Sequence, residues 1–277
     1  SLFTNTTGSN NTAVGYQAGY TNSTGANVTA IGYKALYSAT VNNNTALGYN
    51  VASATTTGQH NVAIGGNNAG SQTTFVANTT GSYNIAIGMA ALRNNTTASD
   101  NSAVGYESLY ENTTGTSNTA VGYRALTANQ TSNSLTAVGK SAGATTTQSA
   151  GTYVGAFAGQ NTDSVSNTFV GANSGQNVTS GAKNTIIGRY NGNEGGLDIR
   201  TSSNNIVLAD GDGNISFYKN PTGHVFLSGK KSSTINELGH TFEVAGSWSG
   251  TTSNDQRASI MNRTGTDGDV IEIRHEG

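Results

Sequence analysis

The chain has 277 residues, of which 10% are charged and 34% hydrophobic, and its formal net charge is −2. An average globular protein has about 25% charged residues, and a disordered chain pairs high net charge with few β-branched residues, whereas this chain is regularly supplied with Val, Ile and Thr. The absence of Cys excludes disulfides and thiolate metal sites. Without a basic excess or a long apolar run, neither nucleic-acid binding nor membrane insertion is expected.

The chain repeats itself from its first residues onward. The opening SLFTNTTGSNNTAVG returns at Ser108 as SLYENTTGTSNTAVG, and a strand-like motif ending in Gly recurs eleven times at nearly constant spacing, with one longer interval between Gly65 and Gly88. Val, Ile or Leu always precedes the Gly; Ala stands two before it in eight repeats, Thr or Ser three before in nine, and Asn four before in eight. We place the extra residues of the long interval within 71–83. The repeat residues include Asn11, Val14, Gly15, Asn44, Gly48, Asn118, Val121 and Gly122.

The motif N-T-A-V-G is typical of a short strand ended by Gly. Alternation puts the Thr and Val positions on one face of the strand and the Ala and Gly positions on the other. The repeat length, sixteen or seventeen positions from one motif Gly to the next, fits two short strands and two turns, which make one coil of a narrow parallel β-solenoid. Stacked coils bring like residues about 4.8 Å apart, so the Asn positions are predicted to form a hydrogen-bonded ladder.

Each coil encloses a thin core, which would leave the Ala and Gly positions of a single solenoid exposed. Packing of several parallel copies of the chain through these positions would cover them, and we favour three copies. The change from Ala to Tyr153, Phe169 and Ile186 in the last three repeats then marks a widening of the shared axis. Because the chain starts in the middle of a repeat, we expect it to be a fragment of a longer protein.

The stretches NTAVGYQAG (11–19), NTALGYNVA (44–52), NIAIGMAAL (84–92) and NTAVGYRAL (118–126) resemble the head repeats of trimeric autotransporter adhesins. This resemblance implies a trimer of left-handed parallel β-rolls. The repeat is longer than in those adhesins and has Thr where they usually have an apolar residue. The longer repeat resembles the repeats of bacteriophage tail fibres. Residues 191–218 and 264–277 are also similar to fibre segments that precede a cleaved C-terminal chaperone.

The composition changes after Gly188. Residues 1–188 contain nine charged side chains and residues 189–277 contain nineteen, and alternating runs such as NNIVLAD and NISFYKN replace the repeat. These runs are typical of hairpin strands. The sequence therefore predicts an all-β protein: a repetitive β-roll shaft of about eleven coils at 1–190, a β-prism or hairpin connector at 191–235, and a small terminal β-domain at 236–277, which forms a possible tip.

Binding residues are expected mainly in the second region. Trp248, in the loop GSWSG, suits an interface better than a core, and Tyr218 and His240 are the other candidates. In the shaft, Tyr follows the repeat Gly in five coils; these rings either bind sugars or pack on one another, and packing is the favoured interpretation.

Metal binding and catalysis are not expected. Asp210, Asp212 and Asn214 resemble the start of a calcium loop, but Asp-Gly also suits a hairpin turn, which we favour; the same applies to Asp267 and Asp269. The four His residues, His60, His224, His240 and His275, lack ligand spacing. The shaft carboxylates are too far apart in sequence for a glycosidase pair, and no cofactor is predicted.

The sequence favours a structural and adhesive fibre of a phage tail. In this interpretation a rigid homotrimeric spacer, part of an extracellular virion, presents a tip to a glycan or protein receptor on the host surface and contacts other tail proteins. The alternative is the head of a bacterial trimeric autotransporter adhesin. An ice-binding solenoid, suggested by the Thr content, and a depolymerase are the remaining alternatives.

Overall fold

The computed structural model describes residues 1–66, 72–223 and 225–227, all of which lie in one compact unit, Ser1–His240. These residues contain sixteen β-strands and no helix. Eleven three-residue strands pair in parallel in chain order, one for each repeat, which confirms the predicted all-β parallel solenoid of about eleven coils. A small antiparallel region follows it.

The parallel strands coincide with the repeat motif. Their bounds are β1 (Thr12–Val14), β2 (Thr29–Ile31), β3 (Thr45–Leu47), β4 (Val62–Ile64), β5 (Ile85–Ile87), β6 (Ser102–Val104), β7 (Thr119–Val121), β8 (Thr136–Val138), β9 (Thr152–Val154), β10 (Thr168–Val170) and β11 (Thr185–Ile187). The short strands β12 (Asn193–Glu194) and β13 (Leu197–Asp198) form a separate hairpin. Strand β14 (Ile206–Ala209) pairs in parallel with β11, and β15 (Ile215–Lys219) and β16 (Val225–Leu227) extend the sheet antiparallel.

The strands stack in strict register. Thr12 pairs with Thr29, Ala13 with Ala30 and Val14 with Ile31, and the same correspondence holds at every step to β11. Like residues therefore form continuous columns along the solenoid, as the repeat predicts.

Each coil contains one β-strand rather than the two that we expected. The opposite side is a turn segment whose residues adopt positive φ at intervals, for example Gly32 (131°), Lys34 (52°) and Leu36 (48°). Neighbouring coils are still joined on that side by backbone hydrogen bonds, such as Leu36 N–H to the Val51 carbonyl at 3.0 Å. Residues with positive φ recur at every second position of this segment, and they turn the chain too sharply for a pleated strand. The period-two pattern that identifies strands in a sequence therefore does not apply to this side of the coil.

The Ala positions face the interior of the chain's own coils, so the prediction that they lie between copies is wrong. Ala30, Ala103 and Ala120 have no exposed surface. They face a second interior column, four residues after the repeat Gly, which includes Leu109 and Leu126. A coil made from one such short repeat is so narrow that a methyl group is the side chain that fits opposite Leu.

The last three repeats exchange the sizes of these facing residues. Tyr153, Phe169 and Ile186 replace Ala and are fully buried inside the coil, so they do not mark a widening of an axis between copies. Where Tyr153 fills the interior, the facing column changes from Leu126 to Gly143, and a Cβ on this Gly would lie 2.7 Å from the Tyr153 ring. The swap keeps the interior volume of the coil nearly constant.

The extra residues of the long interval lie between Gly65 and Phe75, so they overlap the predicted range of 71–83 only at its start. Phe75 donates its backbone N–H to the Ala91 carbonyl at 3.0 Å, as Leu92 does to the Ser108 carbonyl at 3.0 Å. Phe75 thus occupies the position of Leu92, four residues after Gly88 in the next coil. Gly65 lies ten residues before Phe75, which leaves six additional residues between them.

Candidate functional site

A distinctive surface of the described residues is the outward face of the parallel strands, which we call the T-x-V face. It consists of the first residue of each strand from β1 to β11, mostly Thr, and the third residue, always Val, Ile or Leu. None of the third residues is buried: five are exposed, among them Val14 (59%), Ile187 (48%) and Leu47 (43%), and the others are half-buried. The chain thus buries its Ala positions and leaves its larger apolar residues in contact with solvent.

The T-x-V face carries no charge and continues past the repeats. None of the strands β1 to β11 contains a charged residue, nor does β14. In β14, Ile206 pairs with Thr185 and Leu208 pairs with Ile187, and Leu208 remains 39% exposed. The face is thus an uncharged strip across twelve strands, in which an unbroken column of Val, Ile and Leu lies beside a column that is mostly Thr. Soluble monomers rarely expose an apolar column of this length.

The predicted Asn ladder lies at the entrance to each strand. The Asn44 amide donates to the Gly58 carbonyl at 2.8 Å and accepts from the Asn61 backbone N–H at 2.9 Å. Asn11 and Asn118 repeat this geometry in their own coils. Each amide therefore joins its own coil to the next, which is the role that the sequence predicted.

A second Asn ladder escaped the sequence analysis. The side chains of Asn78, Asn95, Asn112 and Asn129 are fully buried, and the last three each donate to the amide oxygen of the preceding Asn at 2.9–3.0 Å. Three of these four stand seven residues after the repeat Gly. Aligning the repeats over their whole length, and not only around the motif, would have found this column.

Glycine is required at the end of each strand. At Gly15 and Gly122 φ is +127° and +133°, a region that side chains rarely adopt. A Cβ on Gly122 would lie 2.5 Å from the carbonyl oxygen of Gly139 in the next coil. Gly48 meets the carbonyl of Gly65 in the same way. The Gly column therefore sets the close spacing of the coils.

The Tyr column forms ladders of stacked rings. In the first tyrosine ladder, the ring centres of Tyr16 and Tyr33 lie 5.3 Å apart and those of Tyr33 and Tyr49 lie 4.9 Å apart. Tyr106 and Tyr123 stack at 5.3 Å further along the solenoid. Ring faces thus pack on one another, as the favoured interpretation predicts, while the ring edges stay exposed.

Another aromatic ladder, which the sequence analysis missed, runs beside the first. Phe3, Tyr20 and Tyr37 stack with ring centres 5.1 and 5.3 Å apart. Lys34 lies between the two ladders, with its Nζ 5.4 Å from the Tyr33 ring centre and 5.5 Å from that of Tyr37. Phe3, Tyr20 and Tyr37 stand one repeat length apart in the sequence, and this equal spacing is the signal that would have revealed the ladder.

The segment Asp210–Asn214 forms the turn between β14 and β15. The Asp210 carboxylate accepts from the side chain and backbone N–H of Asn214 and from the backbone N–H of Asp212, each at 2.9 Å. These hydrogen bonds, above all that from the Asn214 side chain, lower the pKa of Asp210. Arg189 donates to the Asp212 carbonyl at 2.8 Å, which ties the turn to the end of the solenoid.

Of the predicted binding residues Trp248, Tyr218 and His240, the structure describes Tyr218. The Tyr218 hydroxyl lies 3.0 Å from the side-chain oxygen of Asn205, which belongs to the Asn column of the strand entrances. This contact gives Tyr218 a packing role at the end of the solenoid. Trp248, His240, His224, His275, Asp267 and Asp269 lie outside the described residues, as does the predicted terminal domain at 236–277.

Titratable side chains are dispersed in the described part of the chain. It holds no group of three or more His, Asp or Glu that could bind a metal ion. His60 stacks on Tyr83 with ring centres 4.9 Å apart. In the same residues we find no helix of the length and hydropathy that a membrane span requires.

Comparison with protein-family models, with curated proteins and with solved structures gave no match to this chain. The fold, the T-x-V face and the aromatic ladders are therefore the basis on which a function is assigned.

Proposed function

We propose that the chain is a section of a phage tail fibre, in which three copies form a rigid extracellular spacer that presents a receptor-binding tip to the host surface. The T-x-V face is the observation that carries this proposal. An uncharged strip with an exposed apolar column across twelve strands is stable in water when a partner covers it. A second and third copy of the same chain offer the same strip, in the same register.

Self-association through this face suits a closed symmetric assembly. Three flat strips that face a common axis bury one another completely, and closure leaves none of them in contact with solvent. The columns of Thr and Val supply contacts that repeat at every coil. A trimer is also what the resemblance of the repeats to adhesin heads and phage fibres implies.

The solenoid itself supports the spacer role. Each coil contacts its neighbours alone, so that length increases by addition of coils without a larger core. Two Asn ladders and the backbone hydrogen bonds resist both stretching and bending. The receptor site is assigned to the terminal region, with Trp248 as the leading residue and His240 beside it in the chain; other tail proteins would attach elsewhere along the fibre.

The gene that encodes the chain separates this function from the head of a trimeric autotransporter adhesin. A chaperone domain encoded after residue 277, beside genes for tail and capsid proteins, supports the phage fibre. Heptad repeats followed by an outer-membrane β-barrel would overturn it and favour the adhesin. Sequencing the flanking region provides this test.

A further inference from the structure

The two aromatic ladders run side by side on the first three coils, and we call the strip of surface between them the trough. It is bordered on one side by the first tyrosine ladder and on the other by the ladder that contains Tyr20 and Tyr37, and Lys34 lies between them. The rings repeat at 4.9–5.3 Å along the solenoid axis. Anything that follows the trough meets the same chemistry at each step, so that a long, periodic ligand fits it best.

The trough presents ring edges and hydroxyl groups instead of ring faces. Within the described part of the chain, none of the five tyrosine hydroxyls in the two ladders has a hydrogen-bond partner, and Tyr16, Tyr33 and Tyr49 are among the exposed residues. Because the ring faces stack on one another, a flat aromatic ligand finds few faces to stack on. A ligand with many hydroxyl groups and apolar C–H edges matches what is exposed.

The trough also carries an isolated positive charge. Residues 1–92 contain one Lys, Lys34, and no Asp, Glu or Arg. No carboxylate side chain in these coils therefore competes for the Lys34 ammonium group. The ladder of Tyr106 and Tyr123 differs, because Arg124 there pairs with Glu107 at 3.1 Å. The first trough therefore attracts an anion, while the second stack is neutralised within the chain.

We propose that this trough binds a linear acidic polysaccharide that runs parallel to the solenoid axis. A sugar unit of an extended chain is about as long as the step between coils, so successive units meet successive Tyr pairs. Their hydroxyl groups exchange hydrogen bonds with the tyrosine hydroxyls, and the carboxylate of a uronic acid unit pairs with Lys34. The site shares no residue with the T-x-V face.

Two matched sugars test the charge preference. The hexamer of β-1,4-linked glucuronate and its neutral counterpart cellohexaose differ in the carboxylate alone. We expect the wild-type chain to bind the glucuronate hexamer about threefold to fivefold more tightly in an NMR titration at low salt, the range that an exposed ion pair provides. Lys34→Gln should bind both sugars equally. This variant is structurally conservative, because Gln17 occupies the same position one coil earlier with a φ of 53°.

The ladder itself is tested by Tyr33→Ala. Loss of one ring and its hydroxyl should weaken binding of both sugars by about tenfold, the value of a well-placed aromatic contact. Ala is already present at this position in other coils, as in Ala156 and Ala172. Tyr123→Ala, in the neutralised stack, is the control and should leave both affinities unchanged.

Four results would overturn the proposal: no binding of either sugar, equal affinities in the wild type, a preference that survives Lys34→Gln, or an equal loss in Tyr123→Ala. A change of particle mass in Tyr33→Ala would also overturn it, since the ladder would then be an assembly contact. The titration requires neither host cells nor a trimer. The proposal of a polysaccharide site can therefore be disproved without disproving the fibre function, and the fibre function can be disproved without disproving the site.

Discussion

At the scale of single residues, glycine and asparagine define the solenoid. Gly122 combines a positive φ with close contact to the next coil, and Asn118 joins the same two coils through its side chain. Both roles follow from chemistry that is visible in the sequence: Gly tolerates positive φ, and stacked Asn side chains form ladders. These columns were therefore predictable from the spacing of the repeat.

Replacement of Gly122 by Ala should be strongly destabilising. The new Cβ would lie 2.5 Å from the Gly139 carbonyl oxygen at a φ of +133°, so that both strain and a clash oppose it. We expect a loss of about 3 kcal/mol in the free energy of unfolding, measured by urea denaturation. Gly211→Ala is the control, because nothing lies within 4 Å of its Cβ position. Equal stability of the two variants would contradict the role of the Gly column.

The direction of the Ala and Val positions was not predictable from the motif alone. Alternation in a strand separates the two sets, but it does not say which set points into the coil. The decision depends on the diameter of the coil, which is set by the left-handed turn residues on the opposite side. Residues such as Lys34 and Leu36 carry no sequence signature for positive φ, and so the narrow interior was inferred incorrectly.

At the scale of the coil, facing residues exchange size to keep the interior filled. Tyr153 and Gly143 together replace the pair of Ala and Leu found in earlier coils. The sequence shows both changes, yet their compensation becomes clear when the two columns are seen to face each other. A coil with one change alone would be either overpacked or hollow.

Because Tyr153 is buried, we expect the folded protein to lose stability in alkaline solution. Burial, as the largest cause, raises the pKa of Tyr153 to about 12, against about 10 in an unfolded chain. At a pH between these two values, the Tyr153 hydroxyl keeps its proton in the folded state and loses it in the unfolded state. Stability is complete below pH 10 and declines as the pH rises towards 12, by about 3 kcal/mol for this residue.

Tyr153→Phe isolates this effect. Phe169 occupies the equivalent position one coil later, so the substitution reproduces a side chain that the fold already accepts. Urea denaturation between pH 9 and pH 12 should show a smaller decline in the variant than in the wild type. The buried Tyr190, whose pKa is also raised by burial, contributes to the decline in both proteins, so the variant still loses some stability. Identical pH profiles for the two proteins would contradict the assignment.

At the scale of the whole molecule, the fold could be predicted and the assembly surface could not. Eleven repeats of nearly fixed length predict a solenoid without knowledge of any contact. The surface that needs a partner depends on which strand residues point outward, and that choice was inverted in the sequence analysis. Because the Ala positions are buried inside the coil, the proposed contact between copies involves Val14, Val121 and their equivalents instead.

The central claim is that the T-x-V face is covered by two further copies of the chain, and the mass of the particle in solution tests it most directly. Light scattering should give the mass of three chains of 28.2 kDa each. Val121→Glu combined with Val138→Glu places charges in the middle of the face and should reduce the mass towards that of one chain. Wild-type protein with the mass of a single chain would contradict the account and would favour a solenoid that uses its Thr and Val columns alone, as an ice-binding protein does.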